Sequence, residues 1–203
     1  AIVSDISAVL PIAIASEGVY QHELLITKTK FEILQEQLKM HLYTEEMVLF
    51  PEFIGLCNKK NGNHYAPSFF LAYPVESLES EHESVKLILS EIRQLSRYRT
   101  LQNASEPYQQ VCKHLDVLEK KLNDLIHLES NLLFPEALAL ETLAVVAYRQ
   151  PVSRSRVSAV RGVNCDGVMR TLTTRGLVVE SGVDIESGAT LYRTTPYFLE
   201  RLG

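Results

Sequence analysis

From His22 to Phe53 apolar side chains return every three or four positions, at Leu24, Leu25, Phe31, Ile33, Leu34, Leu38, Leu42, Val48 and Leu49, with lysines and glutamates between them. Positions i, i+3 and i+4 share one helix face, so this spacing predicts a long amphipathic helix, with Pro51 expected to end it. Glu76 to Arg97 repeats the pattern through Leu78, Val85, Leu87, Leu89, Ile92 and Leu95, and Tyr108 to Phe134 gives a third helix, again expected to stop at a proline. Residues 1 to 17 are apolar and helix-compatible despite Pro11 and supply a fourth. The connecting stretches, 57–68 with its Asn-Lys-Lys-Asn-Gly-Asn and Asn103–Pro107, have loop composition. Four helices with short links predict an up-and-down bundle.

After Leu140 the pattern changes. A short helix runs to Gln150, Pro151 interrupts, and helices are expected over Ser153–Arg161 and Asn164–Arg175, ended by Gly162 and Gly176. Two strand-like pieces follow, Leu177–Glu180 and Leu191–Thr194, around a Gly-containing polar turn. Three helices and a hairpin make a winged helix. The expected fold class is therefore mainly α: a four-helix bundle over 1–139, then a small α+β winged-helix domain over 140–203.

Charge supports a junction near Leu140. Residues 1–140 hold nine Lys and three Arg against nineteen acids, a balance of −7, and all six histidines; residues 141–203 hold no Lys and eight Arg against six acids, a balance of +2. Neither part carries a strongly basic nucleic-acid footprint. Arg154, Arg156, Arg161 and Arg170 on the winged helix are expected to be solvated or to meet a partner protein, and direct nucleic-acid binding is not expected. The three cysteines are odd in number, widely spaced and in no Cys-x-x-Cys pair, so neither a disulfide framework nor a zinc ribbon is indicated. No run of eighteen apolar residues occurs and the start lacks a basic flank, so the expected setting is the cytoplasm, with no membrane partner.

One phrase occurs twice. His-Leu-Tyr-Thr-Glu-Glu-Met-Val-Leu-Phe-Pro-Glu runs from 41 to 52, and Leu-Ile-His-Leu-Glu-Ser-Asn-Leu-Leu-Phe-Pro-Glu from 125 to 136. Each copy places a glutamate, Glu45 or Glu129, five residues before a Phe-Pro. In the first copy His41 lies four residues before its glutamate and shares a face with it, as metal ligands do; in the second, Leu125 stands in that place. With His82 from the middle helix, the candidate metal ligands are His41, Glu45, His82 and Glu129, a mixed nitrogen and oxygen set suited to iron or manganese in a bundle core. Glu79, three residues before His82, is either a further ligand or a solvated acid. His127 lies about 200 degrees around the helix from Glu129 and is expected to support the site or face solvent. The alternative for all four candidates is a set of hydrogen-bonded core polar groups. No nucleophile and base, phosphate loop or acid pair stands out, so no catalytic residue is assigned and a conventional enzyme is not expected.

These motifs, with Glu-Ser-Glu-His at 79–82, resemble the hemerythrin-like domain of the repair-of-iron-centres family over about 1–139. The resemblance implies non-haem iron and a role in iron-sulfur cluster repair and in the response to nitric oxide or oxidative stress, with a small diatomic ligand or an oxidant as the small-molecule partner. In that family two glutamates, matching Glu45 and Glu129, bridge two irons, and each iron has two histidines. His41 and His82 match one pair, whereas the other falls on Leu125 and Val3. The implied site is depleted, with one iron or none, and a full di-iron site is not expected. Cys112 does not match the family's cysteine in its distance to Glu129.

Glu141-Thr-Leu-Ala-Val-Val-Ala-Tyr-Arg-Gln-Pro, Arg161-Gly-Val-Asn-Cys-Asp-Gly-Val-Met-Arg-Thr-Leu and Thr194-Thr-Pro-Tyr-Phe-Leu-Glu resemble the carboxy-terminal winged helix of the segregation and condensation protein ScpB family over 140–203. That resemblance implies protein contacts, with a kleisin-like protein of a bacterial SMC complex or with a second copy of the chain. The alternatives are thus an iron-binding stress protein, an interaction module carrying the bundle as a structural passenger, or a mosaic of two natural fragments.

Overall fold

A computed structural model describes residues 1–18, 20–57, 71–96 and 104–202. The chain divides into two compact units, residues 1–44 with 77–130 and residues 45–76 with 131–203. The expected loop at 57–68 falls outside the described residues except for Cys57, and Asn103 is likewise outside them.

In the first unit, α1 (Ile2–Ser16), most of α2 (Gln21–Thr44), most of α4 (Ala72–Ser96) and α5 (Glu106–Leu128) supply the apolar stripes of a bundle. Ile6, Leu10 and Ala13 of α1 meet Leu24, Phe31 and Leu34 of α2, Val85, Ile88, Leu89 and Ile92 of α4, and a row on α5 from Tyr108 through Leu115 and Leu122 to Ile126. Pro11 lies inside α1 on its exposed face. Ser105 opens α5 as its N-cap, its hydroxyl accepting from the Tyr108 N–H, a cap worth about 1 kcal/mol.

Neither expected proline stop occurs. A π-helical turn, Glu45–Leu49, follows α2, and the helix resumes as α3 (Phe50–Cys57) through Pro51. A second π-helical turn, Glu129–Leu133, follows α5 and leads into α6 (Phe134–Arg149) through Pro135. Both turns begin at the glutamate of the doubled phrase. Proline breaks a helix by lacking an N–H and by crowding the carbonyl four residues back. Here each proline sits in the first α-helical turn after a wide one, where that carbonyl is displaced and the missing donor leaves little unmade.

In the second unit α6 begins the winged helix. It is followed by β1 (Val152–Ser153), α7 (Arg154–Arg161), α8 (Asp166–Thr174), β2 (Val178–Val183), β3 (Thr190–Thr194) and α9 (Pro196–Leu202). The sheet is antiparallel in the order β1-β3-β2, with Val152 opposite Tyr192 and Val178 opposite Thr194. The hairpin matches the expectation. The two-residue β1 was too short to leave an alternating pattern and shows only through its pairing with β3. Ala139, Leu143 and Val146 of α6 close a core with Val157, Cys165, Met169, Leu172, Val178 and Tyr192. Gly162 takes the left-handed conformation, φ 70°, that ends α7.

Arg161 departs from expectation: it is buried, with Nη2 donating to Glu141 Oε2 at 2.6 Å and Nη1 to Thr142 Oγ1 at 2.5 Å. The Leu71 N–H donates to the other Glu141 oxygen at 3.3 Å. Burial pushes the Glu141 carboxyl above its ordinary range, against the pull of Arg161.

Candidate metal centre

Three of the four candidate ligands come together in the first unit. His41 lies in the last turn of α2, His82 near the middle of α4, and Glu129 just past the end of α5, where the π-helical turn starts. All three are at least 96 % buried. His82 Nε2 stands 2.9 Å from Glu129 Oε2 and 3.3 Å from His41 Nε2, and His41 Nε2 is 3.6 Å from Glu129 Oε2. A cation about 2.1 Å from each donor holds neighbouring ligand atoms about 3.0–3.4 Å apart, so these separations suit a common metal. Among the described residues this is the group of histidine, cysteine and acid side chains close enough to share an ion.

The rings are also held from behind. His41 Nδ1 lies 2.9 Å from Glu81 Oε2, and His82 Nδ1 lies 3.1 Å from Ser130 Oγ. Metal-ligating histidines commonly use the second nitrogen in this way, which fixes the ring and turns the first toward the ion. Burial raises the Glu129 carboxyl, but the two imidazoles beside it, His41 and His82, outweigh that and bring it down to about 2. An ionised carboxylate between two imidazoles is the donor state a cation needs.

The other candidates separate by exposure. Glu45 is buried at the head of its π-helical turn, in the second unit, and is not one of the three clustered ligands. Glu79 is exposed, as a solvated acid would be, and its neighbour Glu81 reaches His41 instead. His127 is exposed. Val3 is half-buried against the bundle core, and Leu125 is 37 % exposed. His22 is exposed, His114 half-buried on α5, and His64 outside the described residues. Sequence reasoning missed Glu81 and Ser130. Each lies directly beside a candidate ligand in the chain, and spacing arguments pass over neighbours because consecutive helical residues point about 100 degrees apart.

A buried two-histidine, one-carboxylate cluster in a helical bundle, in a chain that also carries a small α+β winged helix, points to the cation-binding class of helical proteins. The chain belongs to the hemerythrin HHE cation binding domain family over residues 9–137 and to the segregation and condensation complex subunit ScpB family over residues 78–203. It is 48% identical over 91 residues to segregation and condensation protein B of Listeria monocytogenes, covering 44% of this chain and 43% of that protein. The same protein of Moorella thermoacetica is 56% identical over 66 residues, 32% of this chain and 34% of the relative. The chain thus spans less than half the length of these curated relatives. The crystal structure of ScpB from Mycobacterium tuberculosis matches at 39% identity with a TM-score of 0.33, covering 64% of this chain and 84% of that one.

Proposed function

We propose that the bundle binds one non-haem iron through His41, His82 and Glu129. In this reading it is a hemerythrin-like protein of the iron-sulfur repair and nitric oxide or oxidative stress type with a depleted site. The observation that carries the reading is the convergence of two imidazole Nε2 atoms and one carboxylate oxygen in a buried cluster, with both Nδ1 atoms held from behind. Two histidines and one carboxylate with open positions are the donor set of non-haem Fe(II) centres. When bound, the iron supplies open positions for a small diatomic ligand or an oxidant. The residues do the rest: Glu129 supplies charge, His41 and His82 supply direction, and burial excludes bulk water. Val3 and Leu125 bring no donor atom, which supports one ion rather than two. Anaerobic loading with Fe(II), desalting and metal analysis are expected to give about one iron per wild-type chain and none for His41→Ala with His82→Ala. No iron in the wild type sinks the reading.

The second reading concerns residues 140–203, proposed as a winged-helix domain that docks a kleisin-like protein or a second copy of the chain. Its support is the concentration of identity in short segments shared with segregation and condensation protein B, together with a closed winged-helix core. Failure of the full chain both to bind a bacterial kleisin and to dimerise in sedimentation would remove it. We place the protein in the cytoplasm, a proposal supported by Cys112 and Cys165, which are buried, unbridged thiols. The helical run Glu106–Arg149 has the length and apolarity of a membrane span, and Phe134, Ala137, Leu143 and Val146 in its most apolar part are buried inside the protein, as in a core helix.

A further inference from the structure

We infer that Glu81 is a positioning residue that presets His41, and only His41, as a donor through Nε2; the inference rests on the metal-binding reading. Glu81 Oε2 lies 2.9 Å from His41 Nδ1, and its other oxygen lies 3.5 Å from Ser77 Oγ, one helical turn earlier on α4. A carboxylate accepts hydrogen bonds and donates none, so this contact places a proton on His41 Nδ1, and in the neutral imidazole Nε2 then carries the lone pair. His82 Nε2 lies 3.3 Å from His41 Nε2 and 2.9 Å from Glu129 Oε2, an oxygen that accepts and does not donate. In the metal-free protein His82 therefore carries its proton on Nε2 and donates to Glu129 Oε2 at 2.9 Å, while the Ser130 hydroxyl, 3.1 Å away, donates to His82 Nδ1.

The two imidazoles are thus held by partners of different kinds. Glu81 can only accept, so the His41 tautomer suits a metal before one arrives. Ser130 can donate or accept, so His82 can move its proton from Nε2 to Nδ1 while Ser130 turns its hydroxyl to receive it. Glu81 is half-buried and borders an open cleft of about 400 Å³ with Gln37, Met40 and Ser84, so changing it leaves the bundle core untouched. A carboxylate behind an imidazole strengthens it as a donor, and losing such a partner typically lowers metal affinity about 10- to 100-fold.

The test uses the full chain, Glu81→Gln and Glu81→Asp. Long-range nitrogen NMR of the metal-free wild type at pH 8 is expected to show the proton of His41 on Nδ1 and that of His82 on Nε2. Glu81→Gln, whose amide can donate as well as accept, should move part of the His41 population to the Nε2–H form. Titration with Co(II) alone, followed by visible absorption, should show wild-type binding, a loss of about 10- to 100-fold for Glu81→Gln and partial recovery for Glu81→Asp, at unchanged thermal midpoints. A wild-type His41 protonated on Nε2, or a Glu81→Gln affinity within threefold of wild type, overturns the role of Glu81 and leaves the metal reading standing. Absence of Co(II) binding by the wild type overturns the metal reading, and with it any role of Glu81 toward a metal.

Discussion

Replacing Arg161 by methionine should destabilise the winged helix severely, and the loss should fade as the pH falls toward 4.5. The change strands Glu141, whose side chain is 2 % exposed and would keep only the Leu71 N–H as partner, and it leaves Thr142 without its donor. Removing one member of a buried ion pair costs about 3–5 kcal/mol, because the remaining charge stays in a poor dielectric. In a chain of this size that corresponds to about 6–20 °C in the midpoint of thermal unfolding. The pH dependence follows from Glu141. Burial already holds its carboxyl above the ordinary value of 4.5, and without the opposing Arg161 it rises further. A carboxyl raised in the folded state costs stability above its folded pKa, and the cost disappears as pH drops through that pKa toward the unfolded value. Native-state hydrogen exchange at the Met169 and Leu172 amides, which sit in the same core, reads the local free energy without assuming that the whole chain unfolds at once. Arg161→Met with Glu141→Leu should recover most of the loss, short of about 1 kcal/mol for the Leu71 N–H. A single-variant loss below about 1 kcal/mol, or one that does not change with pH, would refute the buried-charge account.

Three further outcomes are expected. Val3→His with Leu125→His should raise the iron held after anaerobic loading from about one to about two per chain if the two positions belong to one vanished site, measured by plasma emission against protein concentration. Pro11→Ala should raise resistance to urea by about 1–3 kcal/mol, since Pro11 sits exposed inside α1 and withholds a helical hydrogen bond; an unchanged midpoint would mean that α1 does not limit unfolding. The Cys112 thiol, pushed up to about 12 by burial, should react with an aromatic disulfide only at the rate at which the bundle opens, so that urea below the unfolding midpoint accelerates it sharply.

Much of the fold was legible because apolar spacing survives in a single sequence. The stripe from Leu24 to Leu34 and the row from Leu115 to Ile126 occupy the core that their periodicity predicts. The prolines misled because Pro51 and Pro135 were judged against an α-helix, whereas the turns before them are wider, and no residue type announces a π-helical turn. At the site, His41, His82 and Glu129 were legible from spacing and motif. Glu81 and Ser130 were not, since their value depends on which neighbouring helix they face. Arg161 is the clearest failure of composition: an arginine is mostly exposed on average, and its tertiary partners Glu141 and Thr142 make its burial tolerable.

The paired π-helical turns decide which way the chain faces after each copy of the doubled phrase. A π turn holds one residue more than an α turn, so the side chains beyond it are turned by about 100 degrees against the phase of an unbroken α-helix. Each shift begins at a glutamate, so the ligand-bearing helix before it and the helix after it keep separate apolar faces although the backbone runs on without a loop. In the second copy the glutamate at that point, Glu129, meets both imidazoles although Leu125 stands where the first copy has a histidine.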